Sequence, residues 1–154
     1  SLQFALFGNL RNWAETVLYW NLALDDTGGP FISPVTQDLS NILRGLAEID
    51  TLSGTFTFQV EYYALAHFSR FIASGPRRIE TEVKYRAQSI NNDALFAADS
   101  ADIEALAVKN PDKSLVLVVF NPKYYSLPFD IVWRNKHMKY RLKPESVATF
   151  VWRE

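Results

Sequence analysis

The sequence predicts an α+β chain in which helices and a short strand are followed by an antiparallel β-sandwich or barrel. Before residue 75, apolar residues recur at spacings of three and four, which is the period of an amphipathic helix. The pair Gly75-Pro76 then breaks the chain, and the period changes to two, as in half-buried strands. A length of 154 residues allows one domain, or a small domain with a piece of another.

The first elements predicted are a helix and a strand. One helix face carries Phe4, Phe7, Leu10, Ala14, Val17 and Leu18. The short apolar run 20–24 follows, and the cluster Gly28-Gly29-Pro30 closes it. A short apolar run that ends at glycine and proline is typical of a buried strand entering a loop.

A long connection and a second helix complete the first half. Residues 25–50 are predicted to be mostly irregular, and connections of this length are usually functional or disordered. A small hairpin is predicted around Ser53-Gly54. The second helix has one face formed by Val60, Tyr63, Ala64, His67, Phe68, Phe71 and Ile72, and it stops at Gly75-Pro76.

The second half is predicted to contain about six strands spaced at roughly ten residues. Alternation of apolar and charged residues marks the first strand at 79–85. Strands 102–109 and 114–120 are joined by Asn110-Pro111-Asp112-Lys113, a sequence suited to a type I turn. Three further strands are expected around 129–133, 138–142 and 147–152.

Composition excludes several classes of function. The formal net charge is -1, whereas a nucleic-acid binder usually has a clear positive surplus, so no nucleic-acid partner is predicted. The chain has no cysteine and two distant histidines, so no metal site and no cofactor are expected. The longest purely apolar run is residues 115–120, far shorter than the roughly 20 residues of a membrane-spanning helix.

Several motifs in order resemble glycoside hydrolase family 30, which includes the glucosylceramidases and the endo-β-1,6-glucanases. The first is residues 12–25 with Gly28-Gly29-Pro30. The second is residues 43–50, in which Leu43 replaces the cysteine of some microbial members. The third is the helix 61–72, with Ala66 where the family usually has glycine, followed by the entry 76–79 into the side β-domain. The resemblance covers the whole chain.

The resemblance implies the end of a (β/α)8 barrel followed by a β-sandwich side domain. Residues 1–75 would hold barrel helix 7 (residues 2–18), strand 8 (20–24), a long loop and helix 8 (60–73). Residues 76–154 would form the β-sandwich domain. The family's secreted or lysosomal location is the only indication of a compartment.

The resemblance also implies that this chain contains no catalytic residue. The family uses two glutamates, an acid/base and a nucleophile, and both would lie upstream of Ser1. Retaining glycosidases need two carboxyl groups about 5 Å apart, one as nucleophile and one as acid/base. The chain is therefore expected to be inactive alone, although the parent would be a retaining β-glycosidase acting on a β-glucoside, glucan or glycolipid.

Four residues are candidates for substrate contact. Trp20 would lie at the carboxyl end of strand 8, and the family places a tryptophan there against the sugar in the -1 subsite. Asn21 should point the other way by strand alternation, so a structural hydrogen bond is its more common role. Asn41 and Arg44 lie in the long loop that would rim the cleft.

Two other kinds of function stay open at this point. A non-catalytic sandwich could bind carbohydrate by itself, although the aromatic residues of strands 129–133 and 138–142 face the core by alternation. A truncated barrel would leave Phe4, Phe7, Trp13 and Leu24 exposed and promote self-association. A last feature is the basic cluster formed by Arg134, Lys136, Lys139, Arg141 and Lys143. A polar outer face is its default interpretation, and weak contact with an anionic membrane surface or polysaccharide is the sharper one.

Overall fold

A computed structural model describes residues 2–31, 44–83 and 103–153, with side chains from residue 5 onward. The chain divides into two compact units, residues 1–68 and 69–154. In the part of the chain that is described, no helix is both long and apolar enough to cross a bilayer. The predicted domain division between residues 75 and 76 stays a prediction.

The first unit combines two helices with a small sheet. Helix α1 (Leu2–Arg11) precedes strand β1 (Ala23–Asp25), and strands β2 (Ala47–Ile49) and β3 (Phe56–Phe58) precede helix α2 (Val60–Ser69). The sheet order is β1-β2-β3. Strands β1 and β2 are parallel, whereas β2 and β3 form an antiparallel hairpin, which confirms the turn predicted around Ser53-Gly54.

Three elements of the first unit are shorter than the sequence predicts: the first helix, the first strand and the second helix. Helix α1 ends at Arg11 rather than at residue 18, because Trp13 has a left-handed backbone with φ of 69°. The Gly8 carbonyl near the end of the helix accepts two hydrogen bonds from Asn12, one from its Nδ2 at 2.7 Å and one from its backbone amide at 3.3 Å. The assigned strand is Ala23–Asp25 instead of 20–24, and α2 ends at Ser69 instead of residue 73.

The core of the first unit is formed by an aromatic contact between its two helices. The rings of Phe7 and Phe68 meet edge to face with centroids 5.1 Å apart. Phe7 and Leu24 are both buried, so the prediction that these two residues are exposed is wrong. Trp13 is exposed as predicted, and the Phe4 side chain lies outside the described part of the structure.

The described residues of the second unit form six strands, the number that the period-two pattern predicts. They are β4 (Arg77–Ile79), β5 (Glu104–Lys109), β6 (Leu115–Asn121), β7 (Leu127–Trp133), β8 (Lys136–Leu142) and β9 (Ser146–Trp152). Strands β4-β5-β6-β9 form an antiparallel sheet, and β7 pairs with β8 in a second sheet. The strand predicted at 79–85 is wrong in its bounds, since β4 ends at Ile79 and residues 80–83 are not in a strand; residues 84 and 85 lie outside the described residues.

Strand β6 is the centre of this unit, because every one of its seven residues is buried. It pairs with β5 on one side and with β9 along its full length on the other. From the second sheet, Phe129 and Tyr140 contact Phe150 edge to face, with centroids 6.1 and 5.1 Å away. Two sheets packed through their inner faces make this unit the predicted β-sandwich.

Asn110 connects the beginning of the second unit to the turn between β5 and β6. Its Nδ2 donates to the Phe71 carbonyl at 2.9 Å and to the Ser114 Oγ at 3.0 Å. Its Oδ1 accepts from the Ala73 amide at 3.0 Å. The predicted turn is confirmed, since the Lys113 amide donates to the Asn110 carbonyl at 2.9 Å. The segment before Gly75 is therefore held by the sandwich.

Shortening a buried side chain of the central strand should destabilise the fold far more than shortening an exposed one. Val119 is 1% exposed, and Val119→Ala removes two methyl groups and leaves a cavity, which should cost about 2 kcal/mol of unfolding free energy. Val151 is 50% exposed on neighbouring β9, so Val151→Ala is the matched control and should cost much less. Urea unfolding measures both, and equal losses would contradict the central position of β6.

Candidate functional site

A cleft of about 260 Å³ opens in the first unit beside strand β1. It lies where β1 and its following turn approach the segment that leads into β2. Its walls are formed by Leu24, Asp25, Asp26, Thr27, Gly28, Arg44, Gly45, Ala47, Glu48 and Gln59. The parallel pairing of β1 with β2 brings these two distant stretches of sequence together. The cleft is lined mainly by groups that can exchange hydrogen bonds with hydroxyls.

Asp25 organises the turn at the end of β1. Its Oδ1 accepts hydrogen bonds from the Thr27 hydroxyl at 2.6 Å, the Gly29 amide at 2.7 Å and the Thr27 amide at 2.9 Å. The hydrogen bond from the Thr27 hydroxyl, followed by that from the Gly29 amide, lowers the pKa of the Asp25 carboxyl. The sequence interpretation of Asp25-Asp26 as a turn device therefore agrees with these contacts.

Close backbone approach at Gly45 sets the width of the cleft. A Cβ at this position would lie 2.7 Å from the Ala47 carbonyl oxygen and 2.8 Å from the Leu24 amide nitrogen. Both contacts are with backbone atoms, which have little room to move. Glycine is therefore needed at position 45 to keep the loop and strand β1 together.

Trp20 lies outside the strand, on its amino-terminal side. Strand β1 begins at Ala23, so Trp20 is not part of it, and its predicted place at the carboxyl end of a barrel strand stays a prediction. Its side chain is 76% exposed. A large flat indole open to solvent is available to stack on a ligand, and its role in substrate contact stays a prediction.

Asn21 makes the structural contacts that strand alternation favours. Its Oδ1 lies 3.3 Å from the Ala23 amide, which donates to it. Its carbonyl accepts from the Leu46 amide at 3.0 Å. These bonds join the start of β1 to the segment that precedes β2, next to Gly45. Contact between Asn21 and substrate stays a prediction.

Arg44 is the predicted loop residue that the structure brings to the cleft. Arg44 is one of the lining residues, and its carbonyl accepts from the Tyr19 hydroxyl at 2.9 Å. Burial raises the pKa of Tyr19, the nearby Glu61 adds to the rise, and Arg44 opposes it. Asn41, the other loop candidate, lies outside the described residues. Nothing in the sequence singles out Tyr19 except its position next to Trp20.

Glu48 and Gln59 are cleft residues that sequence reasoning missed. Glu48 belongs to β2 and is paired with Leu24 across the parallel ladder, whereas Gln59 lies between β3 and α2. Asp26 adds another carboxylate, and its Oδ1 accepts from the Thr51 hydroxyl at 3.1 Å. Glu48 lies within the family-like motif 43–50, but no local signal marks it or Gln59 as a cleft residue, because only the pairing of three strands places them around one opening.

Comparison with known proteins gives the family. Residues 75–150 match the family model described as the glycosyl hydrolase family 30 beta sandwich domain. The second unit therefore has the fold that this domain defines. The domain at residues 75–150 belongs to glycoside hydrolase family 30, and the expectation from the sequence motifs is confirmed.

The relatives are longer glycoside hydrolases. The chain is 31% identical to the lysosomal acid glucosylceramidase of Mus musculus, over 96% of this chain and 24% of that protein. It is 27% identical to an endo-1,6-beta-D-glucanase of Neurospora crassa, over 76% of this chain and 22% of that protein. Among solved structures, the endo-beta1,6-glucanase BT3312 has a TM-score of 0.72 at 23% identity, with 96% of this chain and 29% of that chain covered. The chain thus spans about a quarter of the length of these relatives.

Because of the Asp25 carboxyl, the free energy of unfolding of the chain should decrease at acidic pH. Because its pKa is lowered in the folded state, its contribution is present above the ordinary value of about 3.9 and is lost as pH falls through the lowered value. We expect the difference in unfolding free energy between wild type and Asp25→Asn to shrink between about pH 5 and pH 2. Urea unfolding over this pH range measures it, and a difference that is constant with pH would contradict the assignment.

Proposed function

We propose that this chain is the C-terminal region of a retaining β-glycosidase, in which it supplies one wall of the sugar cleft and the side β-domain. The observation that carries the proposal is the family β-sandwich at residues 75–150 together with relatives that align beyond it, across 96% of the chain. Those relatives are named a glucosylceramidase and an endo-1,6-β-glucanase. A β-glucoside, a glucan or a glycolipid is therefore the proposed class of substrate.

We propose further that the first unit is the end of a (β/α)8 barrel. Its order of a helix, an extended stretch, a long loop and a second helix is that of the last barrel repeat. Under this proposal, α1 is barrel helix 7 and α2 is helix 8, with strand 8 in the stretch between them that bears Trp20. The cleft would then adjoin the carboxyl face of the barrel, where such enzymes have their active sites.

The two carboxyl groups of the reaction are proposed to lie on other parts of the parent enzyme. A retaining mechanism requires a nucleophile and an acid/base about 5 Å apart on either side of the scissile bond. The Oδ1 of Asp25 already accepts three hydrogen bonds within its turn. Asp25 is therefore a poor candidate for the nucleophile or the acid/base. The isolated chain is accordingly proposed to have no hydrolase activity.

Trp20 is proposed to contact the sugar, and Arg44 and Asn41 to rim the site. The support for Trp20 is its exposed indole, which can stack on an apolar sugar face and donate through its N–H. It is anchored on both sides, since the Tyr19 hydroxyl donates to the Arg44 carbonyl and the Asn21 carbonyl accepts from Leu46. Such anchoring would hold the indole in place before substrate arrives.

In the longer glycosidase that contains this chain, Trp20→Ala should lower kcat/KM for a β-glucoside by at least about tenfold. Loss of an apolar contact of this size is worth about 1.5–3 kcal/mol, and 1.36 kcal/mol corresponds to a factor of ten. Trp13→Ala is the matched control, because Trp13 is 75% exposed and Trp20 is 76% exposed. The control should change kcat/KM by less than about twofold.

Two results would contradict the proposal. Equal effects of the two substitutions would remove Trp20 from the substrate site. Turnover of an aryl β-glucoside by purified residues 1–154, lost when a glutamate within them is replaced, would show that the chain carries its own catalytic acids.

A reading frame that extends about 300 residues upstream is expected, since a full barrel needs roughly 250 residues plus leading strands.

The alternative of an independent carbohydrate-binding sandwich has less support. Such a module needs aromatic rings exposed in a line on one sheet face. Phe129, Tyr140 and Phe150 instead meet one another between the two sheets of the second unit. Retention of the chain on an insoluble glucan would favour the alternative.

Self-association of the isolated chain is also proposed. Large apolar side chains of the first unit are exposed, among them Trp13, Leu18, Trp20 and Leu22. A patch of this kind promotes association when nothing else covers it. Light scattering of the purified chain should therefore show dimers or larger species, and a clean monomer would contradict the expectation.

A further inference from the structure

Positive charge is concentrated in one part of the second unit. Residues 121–145, here called the basic hairpin, comprise the end of β6, strands β7 and β8 and the loops beside them. This segment has six lysines and arginines against two acidic residues, whereas the whole chain has a net charge of -1. The remainder of the chain is therefore acidic, and the basic hairpin has an electrostatic character of its own.

The two faces of the basic hairpin differ in what they contact. Phe129 and Tyr140 are paired across the ladder and point to Phe150 in the core. By strand alternation, the opposite face carries Lys139 and Arg141, both exposed. Val132 is exposed on the same outer face, beside its ladder partner His137.

An acidic side chain only partly offsets these cations. Asp130 is the ladder partner of Lys139, and Glu145 lies at the far end of the segment. Arg141 is opposite Pro128, which has no charge. Among the paired residues, the outer face thus carries Lys139 and Arg141 against Asp130, a positive excess of one charge.

A pair of exposed tyrosines lies in the loop between β6 and β7, which leads into the open end of the hairpin. Tyr124 is 84% exposed and meets Tyr125 edge to face, with centroids 5.2 Å apart. The buried Asn121 donates through Nδ2 to the carbonyls of Tyr125 at 2.8 Å and Lys143 at 2.9 Å. Asn121 therefore holds the loop before β7 and the loop after β8 together through backbone carbonyls. The tyrosine rings and the Lys143 ammonium take no part in these two hydrogen bonds.

We propose that the outer face of the basic hairpin and the Tyr124-Tyr125 loop dock the β-domain on an anionic lipid surface. Anionic headgroups attract clustered lysines and arginines, and tyrosine is suited to the level of the headgroups because one end of the ring is apolar and the other polar. Exposed Val132 can contact the apolar acyl layer beneath the headgroups, and an acidic polysaccharide has no such layer. This docking goes beyond the proposed hydrolytic role and does not depend on it.

Co-sedimentation of the 154-residue chain with lipid vesicles tests the proposal. The chain should bind phosphatidylcholine vesicles that contain phosphatidylserine and should not bind vesicles of phosphatidylcholine alone. Binding should weaken as salt rises, because the screening length falls to about 10 Å at 0.1 M. The double variant Lys139→Gln/Arg141→Gln should reduce partitioning about 25-fold, at roughly fivefold per cation.

A matched control distinguishes an effect of the outer face on binding from an effect of the chain's total charge. Arg70→Gln/Arg77→Gln removes the same charge from exposed positions of the same unit outside the basic hairpin, and it should change partitioning little. Tyr124→Ser should weaken binding even in high salt, since the ring contributes without charge. Thermal unfolding of each variant verifies that the fold is intact.

Three results would overturn the proposal. They are equal binding to both kinds of vesicle, equal losses in the two double variants, and binding to an acidic polysaccharide with none to phosphatidylserine vesicles. The last result would identify the partner as a polysaccharide. Because no measurement here uses hydrolysis, failure of the docking proposal would leave the proposed glycosidase role unaffected.

Discussion

The burial of strand β6 is the constraint on which the second unit depends. A strand whose seven residues are all buried must be paired on both edges and covered on both faces, or its amides and carbonyls would lose their partners. Strands β5 and β9 pair with the two edges of β6, and the β7–β8 pair covers part of one of its faces. The family β-sandwich at residues 75–150 is built around this strand.

The first unit depends instead on close backbone approach. Gly45 lies against the Leu24 amide and the Ala47 carbonyl, and the parallel pairing of β1 with β2 carries Glu48 to the cleft. Hydrogen bonds from Tyr19 and to Asn21 then fix the stretch that bears Trp20. A rigid backbone with polar side chains around one opening is what a sugar site needs, since hydroxyls are recognised by well-placed donors and acceptors.

The two units support the proposed glycosidase at different levels. The second is defined by its own core and by the family it belongs to, so its surface, including the basic hairpin, can be interpreted directly. The first shows several large exposed apolar residues, which is consistent with a piece of a larger barrel. The relatives, about four times longer than the part that aligns, are consistent with the same division.

The sequence by itself determined the family, the strands of the sandwich and the turn at Asn110, because alternation and turn residues are local signals. It overestimated α1, since apolar spacing continues past Asn12 while the left-handed backbone of Trp13 ends the helix. Only the tertiary structure decided which residues surround the cleft, and only it showed that Trp20 precedes strand β1. Strand pairing joins residues some 20 positions apart, and no periodic pattern within either segment encodes that pairing.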